Sequence, residues 1–361
     1  MKKPFTLGLF IIITLVSTAQ SVDLDRFYFN ATYRELPRKG LDTSWRTFAV
    51  AVETGPLCKL VMKDDMLTEL VNIEGWRRLD NNAHILVRTR LEDVIVEKSQ
   101  VRERQEILKD KQGKQTGIRR YYAMQLTYSY AAHTTVTDYT GRLLEQFPAV
   151  DRNVKHTYTG QEYATKAEAE LHFAYNAMHV SSEIMRRVAT NTFEELGNRL
   201  STQYGYTQRT VNDFMWILDS RKHPEYEAHR KAFGIVKQAM FQMNADEPVD
   251  KVREMVQPAI DYFEKVKKRY PSTNKKERKL RYASFYNLAK IYLYLDDPDA
   301  AMHEATALVM NDFDARDGRV LENVANDLKS LLQQNKVKSR HFPVNIHEFN
   351  GPFKSTASKV K

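Results

Sequence analysis

The chain has 361 residues, of which 42% are hydrophobic and 28% charged, so two or three domains with packed cores are expected. The hydrophobic content disfavours wholesale disorder, and the mean hydropathy of −0.57 is typical of a soluble globular protein. Cys58 is the single cysteine, so an intramolecular disulfide is excluded. The apolar neighbours of Cys58 predict a small buried core residue rather than a reactive thiol.

The first twenty residues have the three parts of a secretory signal peptide. Lys2 and Lys3 form a basic start, an apolar run of about 12 residues follows, and Ala19 ends a small-residue motif. The run is shorter than the roughly 20 residues that cross a bilayer, which disfavours an uncleaved anchor. The pattern predicts cleavage near Ala19 or Gln20 and an exported, bacterial-type protein. Its predicted location is the periplasm or the outer membrane, with no transmembrane segment after cleavage.

Residues 21–155 predict a strand-rich α+β domain. A strand is indicated by the alternation of Phe27, Phe29, Ala31 and Tyr33 with the residues between them. A polar segment with two glycines, at 109–117, separates two strand patterns and predicts a β-hairpin. Residues 138–141 predict a second turn between strands.

After residue 160 the apolar period changes from two residues to about 3.6. The predicted parts are a long helix with a connecting helical segment at 160–220, a helical domain at 221–335 and a basic flexible tail at 336–361. The long helix is expected to bury a stripe formed by Leu171, Ala174, Tyr175, Met178, Ser182, Met185 and Val188. Further helices are predicted at 210–218, 225–241, 249–270, 280–295, 300–310 and 320–332. The predicted fold class is α+β, with a mixed or antiparallel sheet domain before an all-helical domain.

Two sets of residues in the helical domain have the same spacing of four, three and five. They are Ala259, Phe263, Val266 and Pro271, and then Ala301, Ala305, Leu308 and Phe313; Leu288, Ala289 and Tyr292 lie on one face of the helix between them. This pattern resembles the tetratricopeptide repeat, in which small residues let paired helices approach closely. The resemblance covers about 225–332 and implies helical hairpins that bind a protein partner. Its departures are a 42-residue step from Ala259 to Ala301 and Phe313 in place of the usual proline. An ordinary antiparallel helical bundle is the alternative.

The first half of the chain resembles small α/β domains of bacterial envelope proteins, such as those in curli-secretion and penicillin-binding-protein-activator lipoproteins. The resemblance lies in a short helix followed by Ile73-Glu74-Gly75-Trp76, a strand at 83–87, a turn at 138–141 and a long helix. It implies an envelope protein and assigns no functional residue.

The formal net charge of the whole chain is +9. The excess of positive charge is concentrated in two segments, 265–281 and 336–361. In the first segment, Lys275, Lys276, Arg278 and Lys279 are predicted to lie in a loop before a helix that begins near Leu280. Outside the cytoplasm such a basic insert predicts contact with an acidic protein, anionic lipid headgroups or lipopolysaccharide phosphates, and not with nucleic acid. A solvated loop is the alternative.

The sequence predicts no catalytic, cofactor-binding or metal-binding residues, because zinc, hydrolase and phosphate-loop motifs are missing from it. Glu168, His172, Tyr175, His179 and Glu183 share one helix face. The two histidines are about 10 Å apart along the helix, too far to ligate one metal without further ligands. This face therefore predicts two local ion pairs.

Taken together, these patterns predict a non-enzymatic protein-interaction or scaffold module with an envelope protein as partner. The alternative is a protein that binds a glycan or peptidoglycan fragment through the aromatic face of the N-terminal sheet. The aromatic residues that favour this alternative are Tyr121, Tyr122, Tyr128 and Tyr130 on one predicted strand, together with Trp76. Ordinary sheet packing also accounts for them.

Overall fold

The structure is a computed structural model that describes residues 21–353; the predicted signal peptide lies outside these residues. Within them the chain forms two compact units. The helical unit consists of residues 21–33 and 210–330, and the sheet unit of residues 34–209 and 331–353. The predicted α+β class is confirmed. Both units are discontinuous in sequence, whereas the sequence predicts contiguous domains.

The elements in chain order are as follows: β1 (Leu24–Arg34), β2 (Thr47–Thr54), α1 (Pro56–Val61), α2 (Asp64–Leu70), β3 (Arg77–Arg78), β4 (Ile85–Leu91), β5 (Ile95–Lys109), β6 (Gln115–Ser129), β7 (Ala132–Asp138), β8 (Leu143–Val150), β9 (His156–Thr159), α3 (Lys166–Tyr204), β10 (Gln208–Leu218), α4 (Tyr226–Phe241), α5 (Asp250–Arg269), α6 (Lys275–Tyr294), α7 (Pro298–Met310) and α8 (Ala315–Gln334). A short 3₁₀ helix follows at Ile346–Glu348.

The sheet unit contains a five-stranded sheet with the order β3-β2-β4-β7-β8. Strand β2 is parallel to β3 and β4, whereas β7 pairs antiparallel with β4 and β8. The β7–β8 turn is the predicted one, and Gly141 adopts a φ of 88° there, a conformation that glycine tolerates best. Inward-facing residues such as Ile85, Val87 and Val136 are fully buried, as the alternation of a half-buried strand requires.

Strands β5 and β6 form the predicted β-hairpin, which is longer than the turn pattern alone indicates. They pair antiparallel from Ile95–Ser129 at one end to Lys109–Gln115 at the other. Strand β9 adds a third strand only beside Gln125 to Tyr128, and one further bridge joins Tyr122 to Tyr163. The part of the hairpin beyond these pairs is a two-stranded ribbon.

The helical unit begins with a two-stranded ribbon of β1 and β10. The side chains of Thr32 and Thr210 are 2.8 Å apart, and the Asn212 amide donates to Asn30 at 2.8 Å. From Asn30 to Thr32 on β1, the partner on β10 changes from Asn212 back to Thr210, so the two strands are antiparallel. The predicted alternation of β1 is confirmed, because Phe29 and Ala31 are buried between Tyr28, Asn30 and Thr32.

The predicted helix at 210–218 is wrong, because this segment is part of β10. Met215 and Ile217 alternate with Phe214 and Trp216, and the first pair joins the core that helices α4, α5 and α6 share with β1. Aromatic and β-branched residues favour a strand when a partner strand is available. The partner is β1, about 180 residues earlier in the chain, which a local pattern does not indicate.

The C-terminal segment from residue 336 to 353 is held against the sheet unit, which contradicts the predicted flexible tail over this part. The Arg77 guanidinium donates to the carbonyl oxygens of His347 (3.1 Å) and Phe349 (3.0 Å). The Asn82 amide donates to the Phe353 carbonyl at 2.9 Å. These bonds to main-chain oxygens fix the segment although it has almost no regular secondary structure.

Candidate functional site

Helix α3 is the main element of the candidate site, with 39 residues and a length of about 58 Å. It begins with a capping box: the Thr165 side chain accepts from the Glu168 backbone N–H, and the Glu168 carboxylate accepts from the Thr165 backbone N–H. Inside the sheet unit α3 contacts α1, α2, β5, β6 and β8. These neighbours cover its C-terminal part far more than its N-terminal part.

The C-terminal half of α3 is embedded in the core of the sheet unit. Phe193, Leu196 and Leu200 are at most 2% exposed. Gly197 allows a close approach, because a Cβ at this position would lie 3.1 Å from the Asn72 backbone nitrogen. The Trp76 indole N–H donates to the Tyr204 carbonyl at 2.7 Å and fixes the end of the helix.

The N-terminal half of α3 carries apolar side chains that contact little of the chain. Leu171, Tyr175 and Met178 are 58%, 82% and 87% exposed. The prediction that this part of the stripe is buried is therefore wrong. The spacing does place these residues on one face of a helix, but the described residues of the sheet unit leave most of that face uncovered before Val180. We call Leu171, Tyr175, Met178, Ser182 and Met185 the α3 seam.

An apolar groove of about 520 Å³ adjoins the middle of the α3 seam. Its walls come from α1, from the start of β5 with the residue before it, and from α3, and none of its lining side chains is charged. Leu60 and Met178, which are 83% and 87% exposed, stand at its rim. We call this the α3 groove, and it is lined by Leu57, Leu60, Val61, Val94, Val96, Ala177, Met178, Ser181, Ser182, Ile184 and Met185.

The short helix α1 presents Leu57 and Leu60 to the groove. It begins at Pro56, and the Asp93 carboxylate accepts from the backbone N–H groups of Leu57 (3.3 Å) and Cys58 (2.9 Å). Proline in the first turn and an acidic acceptor at the N-terminus both favour a helix at this point. Cys58 is 3% exposed, as predicted, and burial raises the pKa of its thiol.

The polar group on α3 does not form the two predicted ion pairs. Glu168 is used in the capping box, and the His172 ring packs 5.0 Å from the Tyr163 ring, centroid to centroid. Glu183 accepts from the Tyr158 hydroxyl at 3.4 Å. No group of three or more His, Cys, Asp or Glu side chains able to hold a metal ion occurs among residues 21–353.

The aromatic face that favours a glycan-binding alternative is mostly inside the sheet unit. Tyr128 and Tyr130 are 5% and 7% exposed, and both rings pack against His156. Tyr121 is half-buried and donates to Glu106 at 2.8 Å. Because a sugar stacks on an accessible ring, Tyr128 and Tyr130 are not available to one, and the glycan-binding alternative stays a prediction that depends on the half-buried Tyr121 and Tyr122.

The residues of the repeat pattern mostly lie in the core of the helical unit. Ala259, Phe263, Val266, Leu288, Ala289, Ala301, Ala305 and Leu308 are at most 1% exposed, whereas Tyr292 is half-buried and Pro271 is exposed beyond the end of α5. Successive helices contact each other from α4 to α7. An ordinary helical bundle buries such residues in the same way, so the tetratricopeptide resemblance stays a prediction.

The basic insert is the start of a helix and not the predicted loop. Helix α6 begins at Lys275, where the Asn274 side chain accepts from the Glu277 backbone N–H at 2.9 Å. The Glu277 carboxylate in turn accepts from the Ser272 backbone N–H at 2.8 Å. Asparagine followed three residues later by glutamate is a helix-start signal in the sequence.

The four cations of the insert also do not form one open patch. Arg278 lies 3.1 Å from an Asp312 carboxylate oxygen, and Lys279 lies 3.7 Å from Asp23. Lys275 and Lys276 are exposed at the first turn of α6. Contact of this segment with an acidic partner stays a prediction, and Arg278 and Lys279 are already paired with acids of this chain.

No helix among residues 21–353 combines the length and apolarity that a membrane span requires. Comparison with protein-family models gives no match, and comparison with curated proteins gives none either. Among solved structures, the chain is similar to a minor lipoprotein from Acinetobacter baumannii, with 13% sequence identity. The similarity covers 46% of this chain and 98% of that chain at a TM-score of 0.16, which is too low to carry an argument about fold or function.

Proposed function

We propose that this chain is an exported protein of the bacterial cell envelope that acts as a non-enzymatic interaction or scaffold module. The observation that carries the proposal is the α3 seam, which presents apolar side chains to solvent beside the α3 groove. Contiguous exposed apolar surface on a soluble protein marks a binding site more often than chance exposure of single residues. The predicted signal peptide supports the envelope location.

The occupant that fits best is an amphipathic helix of a protein partner. The α3 seam advances by four, three, four and three residues, which is the 3.5-residue period of a coiled-coil interface. A second helix alongside α3 would place its apolar side chains between those of the seam. The groove continues that interface toward Leu57 and Leu60 on α1.

The chemistry of the seam also favours a protein helix over a polar ligand. Met178 and Met185 lie beside Ser181 and Ser182, and no charged side chain lines the groove. Methionine adapts its shape to a partner surface and is common where helices are bound in apolar grooves. A glycan would need polar side chains that converge on its hydroxyl groups.

The helical unit contributes a second helical surface to the same proposed role. Its consecutive helices pack through small buried residues such as Ala259, Ala289 and Ala301, in keeping with the tetratricopeptide-like pattern. Repeat units of this kind present helix faces to protein partners. The α3 seam remains the stronger basis, because Leu171, Tyr175 and Met178 are exposed, whereas most residues of the repeat pattern are buried.

The proposal is tested by placing a photo-cross-linking amino acid at Met178 of the exported protein in living cells. Met310 on α7, which is 78% exposed, serves as the matched position. A discrete cross-linked product is expected from position 178 and not from position 310. A product made of two copies of this chain would identify the partner as a second copy.

Leu60→Glu should abolish the product at position 178 without a change in melting temperature, because Leu60 is 83% exposed. Met310→Glu makes the same kind of change at a matched site and should leave the product intact. Equal products from positions 178 and 310, or no product from 178, would contradict the proposed interaction.

A further inference from the structure

The outer end of the β5–β6 hairpin has a surface that neither the α3 groove nor the helical unit accounts for. We call residues 107–120 the hairpin tip. Beyond the bridge between Tyr122 and Tyr163 the hairpin has no third strand. Two-stranded ribbons with both faces in water are only marginally stable, so a further surface that covers one face would stabilise this ribbon.

The hairpin tip carries an exposed apolar pair. Ile107 and Ile118 are directly opposite each other and are 56% and 50% exposed. By the alternation of a strand, Arg120 lies on the same face as Ile118, whereas the register shifts between Leu108 and Lys109 at the other end. The isoleucine pair therefore lies between Arg120 on one side and the lysine-rich turn on the other.

The charge of the hairpin changes sharply along its length. The tip contains five basic residues and one acidic residue, a net charge of +4, whereas residues 95–106 contain three of each. The basic residues of the tip are Lys109, Lys111, Lys114, Arg119 and Arg120. The overall positive charge of the chain is thus concentrated at a protruding turn as well as in the two basic segments.

The acid of the tip does not neutralise the lysines. The Asp110 carboxylate accepts from the backbone N–H groups of Gln112 and Lys114, both at 2.9 Å, and so closes the turn. Within residues 21–353, no ion pair joins Lys109, Lys111 or Lys114 to an acid. The turn therefore presents three exposed ammonium groups around a tight backbone loop.

We propose that the hairpin tip binds the surface of an anionic phospholipid bilayer. The lysines are complementary to lipid phosphates, and the isoleucine pair suits the apolar boundary below the headgroups. A bilayer needs no shaped pocket, which agrees with a ribbon that presents an exposed apolar pair and a charged end. An acidic protein would match the cations but would leave the isoleucine pair without a specific role.

The test is vesicle binding by the mature protein purified from the cell envelope. Vesicles with 30% phosphatidylglycerol are compared with vesicles of phosphatidylcholine alone. Binding to the anionic vesicles should be strong at low salt and should fall as salt rises, since screening acts over about 8 Å at physiological ionic strength. Binding to phosphatidylcholine should be at least tenfold weaker.

Two variants distinguish binding by the hairpin tip from binding that depends only on the net charge of the protein. In the first, Lys109→Gln, Lys111→Gln and Lys114→Gln are combined; since each lysine contributes about fivefold in affinity, a loss of about 100-fold is expected. In the second, Lys265→Gln, Lys268→Gln and Lys275→Gln remove the same charge from exposed positions of the helical unit. This control should weaken binding by less than about threefold.

A third variant, Ile107→Ser with Ile118→Ser, should weaken vesicle binding about tenfold while leaving the charge unchanged. Equal losses in the two lysine variants would overturn the proposal, because net charge would then explain the binding. Parent-like binding by the hairpin variant would also overturn it. Tight binding of soluble polyglutamate at the tip, without vesicle binding, would replace the bilayer by an acidic protein partner.

Discussion

The two halves of helix α3 carry similar apolar periodicity in the sequence but lie in different surroundings. In the C-terminal half Phe193 and Leu200 are fully buried, and in the N-terminal half Tyr175 and Met178 are more than 80% exposed. Periodicity tells which face of a helix is apolar, whereas burial depends on whether another element lies against that face. An amphipathic helix can therefore stabilise a fold with one half and remain available for a partner with the other.

The largest contrast is expected from truncation of aromatic residues in the two halves. Phe193→Ala should lower the free energy of unfolding by about 3–5 kcal/mol, because it leaves a cavity in the core. Tyr175→Ala should change that free energy by less than about 0.5 kcal/mol, since its side chain is 82% exposed. Denaturant unfolding measures both, and similar losses would show that the N-terminal half packs against the chain.

Acid should weaken the buried half of α3 through Glu145. Burial raises the pKa of this carboxyl, but the hydrogen bonds from Lys39 and Tyr204 outweigh it and hold the pKa below the ordinary 4.5. A depressed folded-state pKa means that the stabilisation is present above pH 4.5 and is lost as the pH falls through the folded value. Glu145→Gln should cost roughly 1.5–3 kcal/mol at pH 7.

The measurement for Glu145 is the free energy of unfolding of parent and variant between pH 7 and pH 3. The two curves should approach each other as the pH falls below 4.5 and converge below the folded-state pKa of Glu145, where the parent carries a neutral carboxyl as well. A constant difference across this range would contradict the assigned role of the charge.

The close approach of Gly197 to the Asn72 backbone gives a third comparison between the buried and the exposed half of α3. Gly197→Leu should cost about 1–3 kcal/mol, because its Cβ would meet the backbone of Asn72 at 3.1 Å. Ala174→Leu places the same side chain on the exposed half and should leave the melting temperature within about one degree of the parent. A similar loss at both positions would indicate that the exposed half is also closely packed.

The smallest effect is expected at the capping box. Thr165→Ala removes the acceptor for the Glu168 backbone N–H and should cost about 1 kcal/mol. The cost should appear as faster amide hydrogen exchange over residues 166–176, because few tertiary contacts hold this end. Exchange over residues 190–204 should be unchanged, and a global change in exchange would contradict the local account.

Much of the fold is encoded in local patterns, and the exceptions have identifiable causes. The alternation of β1, the β5–β6 hairpin and the long helix follow from side-chain period and turn residues. The local pattern does not indicate strand β10, because its partner is β1, about 180 residues away. The run of lysines and arginines predicts a loop at Lys275, whereas Asn274 and Glu277 provide the capping signal with which α6 begins there.

The candidate site could be predicted only in part. The sequence identifies the apolar stripe of α3 and places Leu171, Tyr175 and Met178 on it. The sequence does not show that this part of the stripe is exposed, because its exposure depends on where α1, β5 and β6 pack against α3. Leu57 and Leu60 in turn resemble ordinary core residues in the sequence, and only the placement of α1 brings them to the groove.

Methionine oxidation of the unmodified protein tests the central claim most directly. Met178 and Met310 are 87% and 78% exposed, and Met215 is fully buried, so three natural probes have known exposure. In the purified chain, Met178 and Met310 should oxidise rapidly and Met215 slowly. In intact cell envelopes the account predicts that Met178 is protected while Met310 still oxidises. Equal oxidation of Met178 in the two preparations would contradict the claim that a partner covers the α3 seam.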